Sequence, residues 1–377
     1  EDPWELEVPE VETIARRLDI LVKASVSIRR YQQESQRGPG ASRGVAFLKT
    51  KKTGSTTLAS VFFRYAARHG QRLPPDLHNI PVGPDLRLGK REACCDVAIQ
   101  HVNSKKLEYS ISWYQMALPD PYLITIIRDP VSHYVSWAHY YKLPDLRMTL
   151  HDFVFSTGAR SSPMAHAMGI YNKEQVGTLL AKFDLVLLTE RFDEGLVLLM
   201  HLLKWTVVDL TYLRAHDSHH IAGLRRSWDG LDVPPSPKPS ALAPHVLAQI
   251  HRLTDKLDGV LYNQALVKYT SRLVAFHRSN PGVLQRDLED LHRLQSDLSR
   301  LCPPDLEREH RSRVDFSDAG EWMEHLRSSW NESRHPHSQA CHWYSMVDLE
   351  FEKQVNPDGY ARPVPFSSSL HSLDHRW

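Results

Sequence analysis

No stretch of this 377-residue chain stays apolar for the roughly 18–20 positions that a membrane helix needs. The longest apolar run, Leu196 to Leu203, is interrupted by His201 and closed by Lys204. An excess of one charge is lacking too. The 46 basic and 45 acidic residues nearly cancel, which excludes a global nucleic-acid-binding field and leaves only local basic patches. Cysteine is scarce: Cys94, Cys95, Cys302 and Cys341, with no C-x-x-C pair of the zinc or thioredoxin kind. No other ligand spacing suggests a metal. Either Cys302 and Cys341, 39 positions apart, close a loop in an oxidising compartment, or all four are buried thiols. There are no internal repeats. The chain also lacks an initiator methionine. Beginning at Glu1, it reads as a trimmed or processed product, with any signal or membrane anchor upstream. One glycosylation sequon, Asn331-Glu332-Ser333, leans weakly toward a secretory location.

What is present is an ordinary globular composition, 41% hydrophobic and 24% charged, with length for one large α/β domain or two smaller ones. Apolar positions Val11, Ile14, Leu18, Leu21, Val22 and Val26 predict an amphipathic helix over 10–32, ended by Gly38-Pro39-Gly40. Val45 to Leu48 reads as a buried strand and Leu58 to His69 as a helix. Residues 71–91, rich in Pro, Gly and charge, read as loop, Cys95 to His101 as a second strand and 104–117 as helix. Tyr122 to Ile127 is an apolar strand of the buried parallel kind, followed by Arg128-Asp129-Pro130 and a helix to Tyr141 with Pro130 at its first position. Phe183 to Leu188 is another strand, and Phe192 to Leu203 its helix. Alternation of strands and helices predicts a parallel sheet with helices on both faces. Residues 206–242 read as loop. Helices dominate from Ala243 to Leu301, where Leu284, Leu288, Leu291, Leu294, Leu298 and Leu301 form one apolar stripe. That stripe fits packing onto the sheet domain or a coiled-coil dimer. The tail from 303 is polar and irregular.

Two places carry chemistry. The first is the loop after the opening strand, KTKKTGSTT, residues 49–57. A strand, a Lys/Gly/hydroxyl loop and a helix N-terminus make an anion cradle, because the first amides of the helix have no partner and its dipole favours negative charge. Lys52 adds a full charge, and Ser55, Thr56 and Thr57 add hydroxyl donors. The loop departs from the Walker A pattern: Lys52 precedes Gly54, and the first glycine is missing. That placement suits a cofactor with one 5′-phosphate followed by a transferable group. The second place is Arg128 with Ser136. Arg128 ends a buried strand, at the sheet edge where open α/β folds bind ligands, and can hold a separate phosphate bidentately. The alternative for Arg128 is a structural ion pair with Asp129 or Glu190. Taken together, two anion sites imply a nucleotide with phosphates at two positions.

FLKTKKTGSTTL followed by TIIRDPVSHYVSWAHYY resembles the Golgi carbohydrate sulfotransferases, and most closely the galactose 3-O-sulfotransferase (galactosylceramide sulfotransferase-like) family, with its FLKT-x-KTG-S-[ST]-T and R-[DN]-P-x5-S-x3-YY patterns. The likeness continues more weakly through SPMAHAMGI, FDLVLLTERFDEGLVLL, KWTVVDLTYLRA, LDGVLYNQA and CHWYSMVDLEF, so that it spans residues 45–351. The resemblance implies a P-loop-like three-layer α/β/α fold with a central parallel sheet and a helical C-terminal part. The helix over 10–32 reads as a stem or docking helix or as an ordinary packed surface helix, and the chain divides into that N-terminal part (1–40), a sulfotransferase domain (41–280) and a C-terminal helix with an irregular tail (281–377).

It further implies the donor 3′-phosphoadenosine 5′-phosphosulfate (PAPS). Lys52, Thr53, Gly54, Ser55, Thr56 and Thr57 would hold its 5′-phosphosulfate, and Arg128 and Ser136 its 3′-phosphate. Lys52 would stabilise charge on the leaving bisphosphate. An acceptor hydroxyl also needs a base. His101, ending the second strand at the same sheet edge, is the candidate, with Glu190 and His133 in reserve. Lys51 stands where the family has His, and the residues after His101 also depart from its pattern. Lys51 and Asn103 are therefore candidate acceptor-binding residues, Lys51 for an acidic sugar or as a plain solvated lysine. The expected partner is a glycan or glycolipid, galactose 3-OH by resemblance, and not nucleic acid. The expected setting is the Golgi lumen, on a type II anchor absent from this chain, with a homodimer as one arrangement. Two readings compete: a P-loop kinase of small metabolites, and a non-catalytic nucleotide- or sulfated-glycan-binding protein of the same fold.

Overall fold

The computed structural model describes residues 43–69, 71, 95–101, 111–115, 118, 120–212 and 236–301. The N-terminal helix of 10–32, the loop of 71–91, Asn103, the sequon, Cys94, Cys302, Cys341 and the tail lie outside them. Four strands form one parallel sheet: β1 (Val45–Lys49), β2 (Val97–His101), β3 (Tyr122–Ile127) and β4 (Leu185–Leu188). Their order is β2-β1-β3-β4. β3 and β4 read as runs of β-branched and large apolar residues with almost no polar face, because helices cover both sides, whereas β1 and β2 end in Lys49 and in Gln100-His101. From β1 the chain first moves outward to β2, then crosses back beyond β1 to β3 and on to β4. The direction of travel reverses between β1 and β3, and right-handed crossovers then put the helices of the two halves on opposite faces. The crevice at such a reversal is where ligands bind in open α/β sheets.

Helix α1 (Ser55–His69) follows β1, and α2 (Pro130–Tyr141) follows β3. The latter opens as the sequence predicts, with Pro130 at its first position and Asp129 as N-cap, its carboxylate accepting the Ser132 amide at 2.8 Å. Four short helices fill the crossover to β4: α3 (Leu143–Leu146), α4 (Leu150–Phe155), α5 (Pro163–Ala167) and α6 (Glu174–Ala181). Beyond β4 come α7 (Phe192–Leu203), α8 (Val207–Leu210), α9 (Pro244–Thr254), α10 (Asp258–Ser279) and α11 (Val283–Leu301).

The main core is the sheet with α1 and α7 on it, built around Phe47, Leu48, Phe62, Ile124, Leu187 and Leu198. A second cluster, with Tyr134, Val135, Phe153, Val246 and Ile250, binds α2, α4 and α9. The leucine stripe of α11 is spent on this domain: Leu291, Leu294 and Leu298 are buried. Two His–Asp contacts tie α11 to α7, His201 to Asp287 at 2.7 Å and His292 to Asp193 at 3.2 Å. Cys95, fully buried just before β2, is disulfide-bonded to a residue outside the described set, so the all-thiol alternative does not hold there. Among the described residues no helix is long and apolar enough to cross a membrane.

Candidate anion-binding site

The loop after β1 is shaped by where its carbonyls go. Lys52 (φ 61°) and Gly54 (φ 74°) both adopt the left-handed region, which curls the backbone tightly. Four successive carbonyls then meet donors from the protein. That of Thr50 accepts the Ser55 hydroxyl at 2.6 Å and the Thr53 hydroxyl at 3.0 Å. Lys51's accepts His133 Nε2 at 3.0 Å, Lys52's accepts Arg128 Nη1 at 3.1 Å, and Thr53's accepts the Thr189 hydroxyl at 2.7 Å. Thr50 itself is anchored to β3, its hydroxyl donating to the Ile126 carbonyl.

With the carbonyls so occupied, the amides at the start of α1 are left for a ligand. Those of Gly54, Ser55 and Thr56 meet no acceptor among the described residues, and the first turn of α1 carries no acidic residue that would compete for an anion. The hydroxyls of Thr53 and Ser55 are used inside the loop, so these two residues offer a ligand only their amides. Thr56 is half-buried and keeps its hydroxyl clear of the loop's internal bonds; Thr57 is buried.

Arg128 closes the other side. One Nη1 hydrogen bond fixes it to the loop, while its Nη2 and Nε meet no acceptor among the described residues. It forms no ion pair there. Burial lowers its pKa, and the charges of Glu190 and Asp129 raise it; a guanidinium stays charged regardless. The Glu190 carboxylate is instead fastened by the Asp129 amide at 2.8 Å and the Tyr262 hydroxyl at 3.4 Å. Ser136, half-buried, lies one turn before Tyr140 on the same face of α2. Tyr140 in turn receives the Lys52 ammonium 4.0 Å from its ring centroid, and Tyr141 receives that of Lys51 at 5.2 Å. Ser136 thus shares a face of α2 with the ring that receives Lys52.

The three candidate bases differ sharply. His101 ends β2 and is exposed, in register with Lys49 at the mouth of the loop. His133 is only 2% exposed; burial first, then Arg128 and Lys52, push its pKa down to about 3 against the opposing effect of its bond to Lys51. Its imidazole is neutral with Nε2 as donor, and its Nδ1 is buried without a partner, so it cannot collect a proton from an acceptor. Glu190 is held as described above. Lys49, 2% exposed, has its ammonium pushed down to about 7 by burial.

Sequence reasoning assigned no role to Thr50, Thr189, Tyr140 or Tyr141. Thr189 follows β4 directly, so the same edge rule that picked out Arg128 applied to it. Among the described residues no three His, Cys, Asp or Glu side chains gather as metal ligands.

The profile of the galactose-3-O-sulfotransferase family matches residues 19–149 and 146–233, more than half the chain. Galactose-3-O-sulfotransferase 3 of Mus musculus is 24% identical over 298 residues, 68% of this chain and 63% of that protein. Galactosylceramide sulfotransferase of Bos taurus is 23% identical over 300 residues, 69% and 64% respectively. Galactose-3-O-sulfotransferase 2 of Sus scrofa is 28% identical over 203 residues, 44% and 50%. The match thus spans between half and 64% of these curated relatives. No solved structure matches the chain.

Proposed function

The chain belongs to the galactose-3-O-sulfotransferase family, and from that premise we propose that it transfers the sulfuryl group of PAPS to a hydroxyl of a carbohydrate or glycolipid. The observation that carries this reading is the loop of residues 50–54. Its carbonyls are turned onto protein donors, its amides are left for an anion, and Arg128, tied to the Lys52 carbonyl, keeps Nη2 and Nε for a second one. The residues fit the donor: amides of Gly54, Ser55 and Thr56 with Lys52 for the 5′-phosphosulfate, Arg128 and Ser136 for the 3′-phosphate.

PAPS supplies a sulfuryl group on a good leaving group, adenosine 3′,5′-bisphosphate. Transfer would break the sulfur–oxygen bond to that leaving group and form one to the acceptor oxygen, and Lys52 with the fixed amides would hold the negative charge left on the bisphosphate. The acceptor proton passes to His101, an exposed imidazole at the same edge. Lys51 and Asn103 are the proposed acceptor-binding residues. Lys51, exposed and cationic where the family has His, suits an acidic or sulfated sugar; galactose 3-OH is the acceptor implied by resemblance. The disulfide at Cys95 supports an oxidising compartment, in keeping with a Golgi lumenal enzyme.

Transfer of labelled sulfate from PAPS to a panel of glycans and glycolipids tests the reading. Wild type should label at least one acceptor, and Lys52→Ala should abolish it. Adenosine 3′,5′-bisphosphate should raise the melting temperature without magnesium. Stabilisation by ATP–Mg alone would point to a kinase.

A further inference from the structure

We infer that His133 is a positioning residue of the donor site. From the first turn of α2 it holds the Lys51 carbonyl, and with it the left-handed turn at Lys52, in the conformation that presents the loop amides and the Lys52 side chain. This rests on the reading of the loop as a nucleotide site, and goes beyond it by giving a task to a buried histidine that cannot serve as the base.

The geometry is specific. His133 is buried at 2% exposure, and its Nε2 donates at 3.0 Å to Lys51, 82 positions earlier in the chain. It is the first member of a row. The carbonyls of Lys51, Lys52 and Thr53 are held in sequence by His133, Arg128 and Thr189, which come from the first turn of α2, the end of β3 and the end of β4. Arg128 carries charge that a ligand can use, and Thr189 bridges to the Ile127 carbonyl at 3.1 Å as well. His133, like Arg128, makes a single bond to the loop, but its other ring nitrogen, Nδ1, is buried and unpaired. Burial first, and then the positive charges of Arg128 and Lys52, keep the ring neutral. One tautomer therefore serves one purpose: Nε2–H for the carbonyl of the residue that precedes Lys52. A residue at left-handed φ relaxes readily once its flanking peptide is released, so losing this bond would let the Lys51–Lys52 peptide turn and spoil the amide array.

Two substitutions separate this role from others. His133→Gln places an amide N–H where Nε2 was, whereas His133→Asn reaches only as far as Nδ1. By calorimetry with adenosine 3′,5′-bisphosphate, His133→Gln should bind within about threefold of wild type and His133→Asn at least about tenfold more weakly, the size of an orphaned buried carbonyl. In transfer assays His133→Gln should keep most of kcat with an unchanged pH profile, while His133→Asn should raise KM for PAPS more than it lowers kcat. Equal binding by a folded His133→Asn overturns the inference. So does a His133→Gln enzyme that binds the bisphosphate normally but loses transfer by a hundredfold or more, since His133 would then act on the acceptor. If His133→Asn does not fold, the His133→Gln arm decides alone: intact binding with intact kcat supports the role, and weakened binding refutes it. Failure of wild type to bind the bisphosphate strikes the nucleotide reading instead, and is distinguishable because no variant is involved.

Discussion

Replacing Arg128 by lysine isolates the 3′-phosphate. Arg128 spends one Nη1 hydrogen bond on the Lys52 carbonyl at 3.1 Å and keeps Nη2 and Nε for a ligand. A lysine keeps the positive charge but offers a single ammonium, which cannot reproduce that planar fork. Two losses follow, and they have different signatures. Releasing the Lys52 carbonyl loosens the loop and weakens every nucleotide by about 1 kcal/mol. Losing a charge-assisted bond to phosphate costs about 1.5–3 kcal/mol more, roughly 10- to 150-fold in Kd, but only for a ligand with a 3′-phosphate. Calorimetry on wild type and Arg128→Lys, each with adenosine 3′,5′-bisphosphate and adenosine 5′-phosphate, closes a thermodynamic cycle that cancels the shared loss. The expected coupling is about 1.5–3 kcal/mol, specific to the bisphosphate. Equal weakening of both nucleotides would mean that Arg128 only braces the loop, and the assignment of the 3′-phosphate to it would fall.

Other perturbations test the frame around the site. Asp258 is fully buried, and its carboxylate accepts the amides of Met164 (3.3 Å) and Ala165 (2.7 Å) at the start of α5; burial outweighs these bonds and pushes its pKa up to about 7 from 3.8. Because the folded value lies above the unfolded one, the contribution to stability is complete below about pH 4 and is lost as pH rises through about 7. Between pH 5 and 8 it should fall by roughly 2–3 kcal/mol. Urea denaturation across that range should show the decline in wild type and a flatter profile in Asp258→Asn; parallel profiles would exonerate Asp258. At Gly54, an added Cβ would meet only Thr189 Cγ2 at 3.7 Å, so space is not the obstacle, but φ is +74°. Gly54→Ala should therefore cost about 1–2 kcal/mol of backbone strain, seen as a lower melting temperature and weaker bisphosphate binding. An unchanged protein would show that the loop tolerates another conformation.

Much of the frame could be read from the residues because burial on both faces leaves an unmistakable apolar run. β3 at Tyr122–Ile127 and α7 at Phe192–Leu203 fall where the pattern puts them. The margins failed where polar residues carry the structure. Helix α1 starts at Ser55 rather than Leu58, since Ser55, Thr56 and Thr57 give no apolar period and Ser55 is fixed by its bond to Thr50. β4 starts at Leu185 because the Asp184 carboxylate already accepts the Leu123 amide, which ends regular pairing. Helices α3 to α6 are too short to establish a period. Lys52, Arg128 and Ser136 stood out as candidates by type and spacing. The hold of Thr189 and His133 on the loop was not, because a hydrogen bond to a backbone carbonyl leaves no mark on the residue that accepts it. The ion-pair alternative for Arg128 needed geometry to decide it.

The three side chains that grip carbonyls 51, 52 and 53 lie 82, 76 and 136 positions further along the chain. Closing such long loops is entropically slow and comes late in folding. The amide array cannot exist on β1 and α1 alone; it is completed only when β3 and β4 are both in register beside them. Nucleotide affinity is therefore a reporter of sheet assembly. A chain with frayed β4 would retain helix and most of its compactness yet lose the donor, so bisphosphate binding should disappear before far-UV ellipticity as denaturant rises. Donor ligand in the compartment where the chain matures would favour the fully registered sheet over every partly assembled form.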